Sequence, residues 1–153
     1  MPDQIKWVST QMEKLNLPEV DRPTGLGEKY EFPDDPDTLT SNKLGQLLLR
    51  ITAYNSYVVR VIGSVESDVL ILETVYKELL AKYRRDNDFG KMTSDAFENL
   101  AAVSDKEISE VRDRLVKRQA LLIQLKSFAS MYQLQYAALS RELARRGQEL
   151  KMG

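Results

Sequence analysis

The sequence predicts an all-α protein: a long antiparallel helical hairpin with a short connecting helix, packing into an oligomeric helical bundle. Three observations lead there. A heptad repeat of apolar residues runs from Leu44 to Tyr83, a second runs from Ile108 to Leu150, and residues 86–103 are all that join them. Two helices of nearly equal length with so short a connection most simply fold back on each other.

Residues 1–40 read as a separate, acidic, proline-containing lead-in. Ile5, Val8, Met12 and Leu15 have the spacing of one short amphipathic helix, with Trp7 beside them. Pro18, Pro23, Gly25, Gly27, Pro33 and Pro36 then exclude a continued element. Phe32-Pro33-Asp34-Asp35-Pro36-Asp37 is a stiff acidic tract suited to lying against another surface.

The helical part covers residues 41–153, with long helices over about 41–85 and 105–150. In the first, Leu44, Ile51, Val58, Val65, Leu72 and Leu79 take heptad position d. Leu48, Asn55, Ile62, Val69, Tyr76 and Tyr83 take position a. Thr40 or Ser41 can cap its start, and at 1.5 Å per residue the rod is roughly 65 Å long. Asn55 is a single polar residue in the seam, a device that sets register and partner number; the alternative is that it faces solvent from a curved helix. Leu47, Tyr54, Val61 and Val75 widen the stripe, so this helix needs more than one neighbour. Self-association through Leu44, Leu48, Ile51, Asn55, Val58, Ile62, Val65, Val69 and Leu72 is the expected solution. The other solution is an intramolecular bundle covered by residues 1–40.

Asp86-Asn87-Asp88-Phe89-Gly90 reads as a turn, and Ser94 as the cap of a short helix holding Phe97, Leu100 and Val103. Ser104-Asp105-Lys106-Glu107 has the form of a capping box opening the second long helix. Its seam runs Ile108, Val111, Leu115, Arg118, Leu122, Leu125, Ala129, Tyr132, Tyr136, Leu139, Leu143, Arg146 and Leu150. Two arginines in a seam predict looser packing or side chains that snorkel outwards. Tyr132 and Tyr136 are expected in the core, and Gly147 predicts fraying beyond it.

Net charge is −1, but its distribution is uneven. Residues 1–40 carry −5, residues 41–85 carry +3, residues 86–110 carry −5 and residues 111–153 carry +6. An antiparallel hairpin gathers Lys82, Arg84 and Arg85 near Arg112, Arg114, Lys117 and Arg118. It also brings Lys43 and Arg50 towards Arg141, Arg145, Arg146 and Lys151. Such clusters suit sequence-independent, salt-sensitive grips on a phosphate backbone, with Tyr83 as a stacking surface. The macrodipole accounts equally for cations at helix C-termini, and Arg112–Arg118 can instead pair with Glu78, Asp86 or Asp88.

Cysteine and histidine are both absent, which removes disulfides, thiolate nucleophiles, thiolate zinc sites and the commonest general base. Gly25-Leu26-Gly27 is a fragment of a phosphate-binding loop without the strand it needs. Asp34, Asp35 and Asp37 lack EF-hand spacing, and Glu66, Asp68 and Glu73 lack the His of di-metal bundles. No enzyme, cofactor or metal is expected. No run of 18 apolar residues occurs and the N-terminus is not a signal peptide, so a soluble, cytoplasmic protein with no membrane partner is expected.

The stretch Asp105-Lys106-Glu107 through Val111, Leu115 and Leu121-Leu122, with Ser140-Arg141 near the end, resembles the UvsY-type recombination mediators of T4-type phages. Phe32-Pro33-Asp34-Asp35 with the tract Tyr136–Arg146 is similar to small proteins of actinobacterial phages. The likeness covers residues 41–146. It implies a non-enzymatic homo-oligomer in the host cytoplasm that binds single-stranded DNA. It also implies displacement of a single-strand-binding protein and loading of a RecA-like recombinase. Within that reading the acidic lead-in can occupy the basic groove until displaced. Two other functions fit the residues: a coiled-coil protein-binding module for phage assembly or scaffolding, and a regulator that inhibits a host DNA-binding protein through its acidic segments.

Overall fold

The computed structural model describes residues 3–24, 31–87 and 89–153. Among them are four α-helices, α1 (Asp3–Lys14), α2 (Ser41–Asp86), α3 (Ser94–Ser104) and α4 (Lys106–Met152), one 3-10 turn at Pro36–Thr38, and no strand. The chain divides into two compact units. One comprises Met1–Gly63 with Gln124–Gly153, the other Ser64–Ile123. Gly25-Leu26-Gly27 and Asp88 lie outside the described residues.

Each helix starts and stops for a local reason. α1 ends in a Schellman arrangement: the Leu17 amide donates to the Met12 carbonyl at 2.9 Å and the Asn16 amide to the Glu13 carbonyl at 3.0 Å. Asn16 supplies the left-handed residue, φ 51°, that closes this motif. Leu17 and Met12 are both buried, the apolar contact that accompanies it. Thr40 caps α2, its Oγ1 accepting from the Lys43 amide at 3.2 Å. At the other end Asn87 Nδ2 donates to the Tyr83 carbonyl at 2.9 Å, beside Arg84 and Arg85 in the last turn.

Two caps differ from those read in the sequence. Thr93, not Ser94, caps α3, with its Oγ1 accepting from the Ala96 amide at 3.3 Å. Asp105, not Ser104, caps α4: Oδ1 accepts from the amides of Glu107 at 2.9 Å and Ile108 at 3.2 Å. The carboxylate satisfies those amides and faces the positive end of the macrodipole, while Ser104 is taken up by the last turn of α3. Ser104 is the last residue of α3, whose closing carbonyl, Ala101, accepts from the Asp105 amide at 2.9 Å. One residue therefore separates the two helices. Gly147 does not end α4, which runs on to Met152.

In the first unit the lead-in helix is part of the core. Ile5 and Val8 are fully buried and Met12 nearly so, together with Leu44, Ile51, Tyr54, Val58 and Val61 of α2 and Leu125, Tyr132 and Leu139 of α4. Trp7 meets Phe128 edge to face at 5.7 Å, and Tyr54 lies 6.0 Å from Tyr132. Arg60 donates to the Asp21 carbonyl at 3.2 Å and ties the segment after α1 to α2. The breaker-rich lead-in can do this because its contacts come from one well-capped helix and a few tethers.

The buried face of α2 is not centred on the a/d seam. Positions d (Leu44, Ile51, Val58, Val65) are buried with Tyr54 and Val61, whereas Leu48, Asn55 and Ile62 at position a are only half-buried. In the second unit the core is Val65, Val69, Phe97, Ala101, Ile108, Val111, Leu115 and Leu121. Leu121 is buried where the heptad reading placed Leu122, the drift expected when a helix with 3.6 residues per turn meets a 3.5-residue repeat. No helix among the described residues is long and apolar enough to cross a membrane.

Candidate functional site

The cationic residues singled out in the sequence have distinct surroundings. In the second unit, Arg118 does not snorkel. It is 8% exposed, donates through Nε to Asp68 Oδ2, and bonds the Arg114 carbonyl at 3.3 Å. The outward reading fails because Asp68, on α2, offers a carboxylate inside the seam. Arg112 donates to Asn99 Oδ1 at 3.1 Å, and Lys117 pairs with Asp113 at 2.9 Å within its own helix. None of these partners is Glu78 or Asp86, which the sequence had suggested. Lys82, Arg85 and Arg114 are exposed.

Arg84 stands over the Phe97 ring at 4.3 Å, a cation–π contact. Tyr83 stacks on Phe89 with centroids 5.1 Å apart, and Phe97 closes the aromatic cluster at 6.0 Å from Tyr83 and 5.4 Å from Phe89. Tyr83 is thus held by two rings. A shallow recess of about 360 Å³ opens between Arg84, Phe89, Lys91, Met92 and Phe97. Lys91 was not singled out in the sequence, since a lone lysine in a turn carries no signal.

In the first unit, Arg141 is exposed while its neighbours Arg145 and Arg146 converge on one carboxylate. Glu142, 7% exposed, accepts from Arg145 at 2.7 and 2.9 Å and from Arg146 at 2.8 Å. Arg145 also reaches Glu149. Arg146 continues to Ser41 Oγ at 3.2 Å and to the carbonyls of Asp37 at 3.1 Å and Pro36 at 3.4 Å. The lead-in is therefore clasped by α4 through its backbone oxygens. Hydrogen bonds from Arg145 and then Arg146 hold the Glu142 carboxyl well below the usual range, at about 2. The same carboxylate, bonded to and facing Asp37, pushes the Asp37 carboxyl up, and it raises the Arg145 guanidinium further.

Charge does not segregate between the units. Ser64–Ile123 holds ten lysines and arginines against twelve aspartates and glutamates; the remainder holds twelve against eleven. The cations of the two rods meet carboxylates of the rods themselves: Asp68 lies against Arg118, and Asp113, Glu142 and Glu149 pair one turn away on α4. Asp35 accepts from the Asp37 amide at 3.1 Å and so caps the 3-10 turn. Among the described residues no group of three or more acidic side chains is placed to hold a metal ion.

A groove of about 410 Å³ lies in the first unit between Ile51, Thr52, Asn55 and Ser56 of α2 and Tyr132, Gln133 and Tyr136 of α4. Tyr136 is 46% exposed on its rim and not in the core as its heptad position suggested. Tyr132 is fully buried, and burial, with the neighbouring Tyr54, pushes its hydroxyl up to about 12. The Tyr132 hydroxyl and Asn55 Oδ1 are both buried without a hydrogen-bond partner. The repeat flagged Asn55; nothing in the sequence marked the Tyr132 hydroxyl. Comparison of the chain with known protein families, with curated proteins and with solved structures finds no match.

Proposed function

We propose that the chain is a non-enzymatic, self-associating coiled-coil module that acts through protein–protein contacts, with α2 and α4 arranged as an antiparallel hairpin. The observation that carries this reading is the apolar surface left on the two long helices. Leu49, Leu70 and Ile71 on α2 and Ile123 and Leu134 on α4 are each 60–71% exposed. Long helices with apolar side chains on more than one face gain by covering them with other helices. Four of the arginines placed in sequence for a nucleic acid, Arg112, Arg118, Arg145 and Arg146, are in contrast bonded to Asn99, Asp68 and Glu142.

A second reading keeps single-stranded DNA as the partner, in the manner of a recombination mediator. It draws on the exposed Lys82 and Arg85 beside the Tyr83–Phe89–Phe97 cluster, a basic and aromatic surface of the kind that grips single strands. A fluorescently labelled oligonucleotide, titrated at about 50 and 200 mM salt, separates the two. The protein module gives no anisotropy change at the lower salt and a sedimenting mass above 17.5 kDa. Binding that weakens steeply between the two salts, and drops further in Lys82→Ala/Arg85→Ala, establishes the second reading.

A further inference from the structure

A recess of about 780 Å³ lies in the first unit where the chain turns after α1, within the range of about 300–1,000 Å³ typical of small-molecule sites. α1 lines it on one side, the segment that follows α1 on another, and Tyr57 of α2 on a third. Each of the first two sides carries one cation and one carboxylate: Lys6 and Glu13 on α1, Arg22 and Glu19 on the segment after it. Glu13 and Glu19 each stand three residues from Asn16 at the turn, whereas Lys6 and Arg22 stand ten and six residues from it. Because both stretches line one recess, its carboxylates gather at the turn and its cations at the far end. None of these four side chains makes a hydrogen bond or ion pair among the described residues.

Tyr57 adds a directional group. It is 1% exposed and its hydroxyl makes no hydrogen bond among the described residues, yet it is not one of the polar atoms sealed from solvent without a partner. The hydroxyl therefore opens onto the recess that its side chain lines. Burial pushes its pKa up, so it keeps its proton and can donate; Arg22 is the nearest charge acting on it, ahead of Glu19 and Arg60. Met12 and Leu17, both buried, and the half-buried Val20 give the recess apolar surface between its charged ends.

We propose that this recess binds a free peptide of two or three residues, its ammonium group at Glu13 and Glu19 and its carboxylate at Arg22, Lys6 and the Tyr57 hydroxyl. A ligand of one sign meets two like charges here, whereas one carrying both signs is matched at each end. The length also fits. Lys6 and Glu13 are rooted about 10 Å apart along α1, and Glu19 and Arg22 at most about 10 Å apart along the chain. An extended tripeptide spans about the same distance between its termini, and a free amino acid is too short to reach both ends.

The test is calorimetric titration of the full chain with the tripeptide alanyl-leucyl-alanine. Binding is expected, with the N-acetylated and the C-amidated peptides each weaker by about tenfold or more, and free leucine weaker than the tripeptide. Tyr57→Phe removes only an oxygen that holds nothing in the chain, and Arg22→Gln alters an exposed side chain, so both are expected to keep native helicity. Each is expected to lower affinity about tenfold or more, since a carboxylate loses a donor. Absence of binding at millimolar tripeptide overturns the proposal. Equal binding of the two capped peptides overturns a site built for both signs, and affinity unchanged in both Tyr57→Phe and Arg22→Gln places the peptide elsewhere on the chain and overturns it too.

Discussion

Removing Asp68 tests whether the second unit depends on a charge held inside its seam. In Asp68→Ala the Arg118 guanidinium stays where it is, because its side chain is only 10% exposed and its helix is fixed by Val111, Leu115 and Leu121 around it. Losing one partner of a fully buried ion pair costs about 3–5 kcal/mol. Two features lower that here. Asp68's side chain is 32% exposed, so water screens part of the attraction, and Arg118 keeps its bond to the Arg114 carbonyl. The expected loss is therefore about 2–3 kcal/mol, or roughly 5–10 °C in Tm for a chain of this size. Urea unfolding followed by helical circular dichroism, at one fixed protein concentration, measures it. The double variant Asp68→Ala/Arg118→Leu removes both charges and adds an apolar residue at a seam position, so it is expected to recover most of the loss. An Asp68→Ala variant within about 0.5 kcal/mol of the native protein, or a double variant no more stable than the single one, would mean that Arg118 does not depend on Asp68.

Three further outcomes follow from the same contacts. Ile5→Ala empties a fully buried position in the lead-in helix and is expected to cost about 2–5 kcal/mol, read as a lower urea midpoint; a lead-in that merely trails from the helices would show no change. Asp105→Ala removes the cap of α4 and is expected to cost about 1 kcal/mol, with Asp105→Asn recovering most of it. Glu142 titrates lower in the folded chain than its ordinary value of 4.5, so its stabilising contribution is complete above that pH and is lost as pH falls towards about 2. Asp37 shifts the opposite way, and its raised carboxyl works against Glu142 as pH rises through its own titration. Thermal melts across acid pH should therefore show a steeper acid loss in the native protein than in Glu142→Gln, and equal slopes would count against the Arg145–Glu142–Arg146 cluster.

The all-helical character was legible because it rests on local periodicity. Alternating gaps of three and four over some forty residues specify a helix whatever it packs against, and capping side chains act over three or four residues. Even there, Thr93 and Asp105 took the caps from their neighbours, since serine and the residue beside it are near-equivalent in a linear reading and only backbone geometry separates them. Of the d positions of α2, Leu44, Ile51, Val58 and Val65 are buried, whereas Leu72 and Leu79 are only half-buried.

Segment charge was the least transferable reading. Counting along the chain made two basic rods, but charge acts through distance in space: folding set Asp68 against Arg118, while Glu142 meets Arg145 and Arg146 one turn away on its own helix. No pattern of spacing announces a partner fifty residues away. By itself, then, the sequence determined four helices, their approximate limits and a chain without the residue types of thiolate or imidazole chemistry. Only the tertiary structure set Arg112 on Asn99 and Arg118 on Asp68, and made the lead-in helix part of a core. It also decided that Asn55 stands at the edge of the buried face. Helix formation and the ion pairs one turn apart on α4 are settled by neighbours within a few residues, whereas burial and the Asp68–Arg118 pair are settled by which distant faces meet.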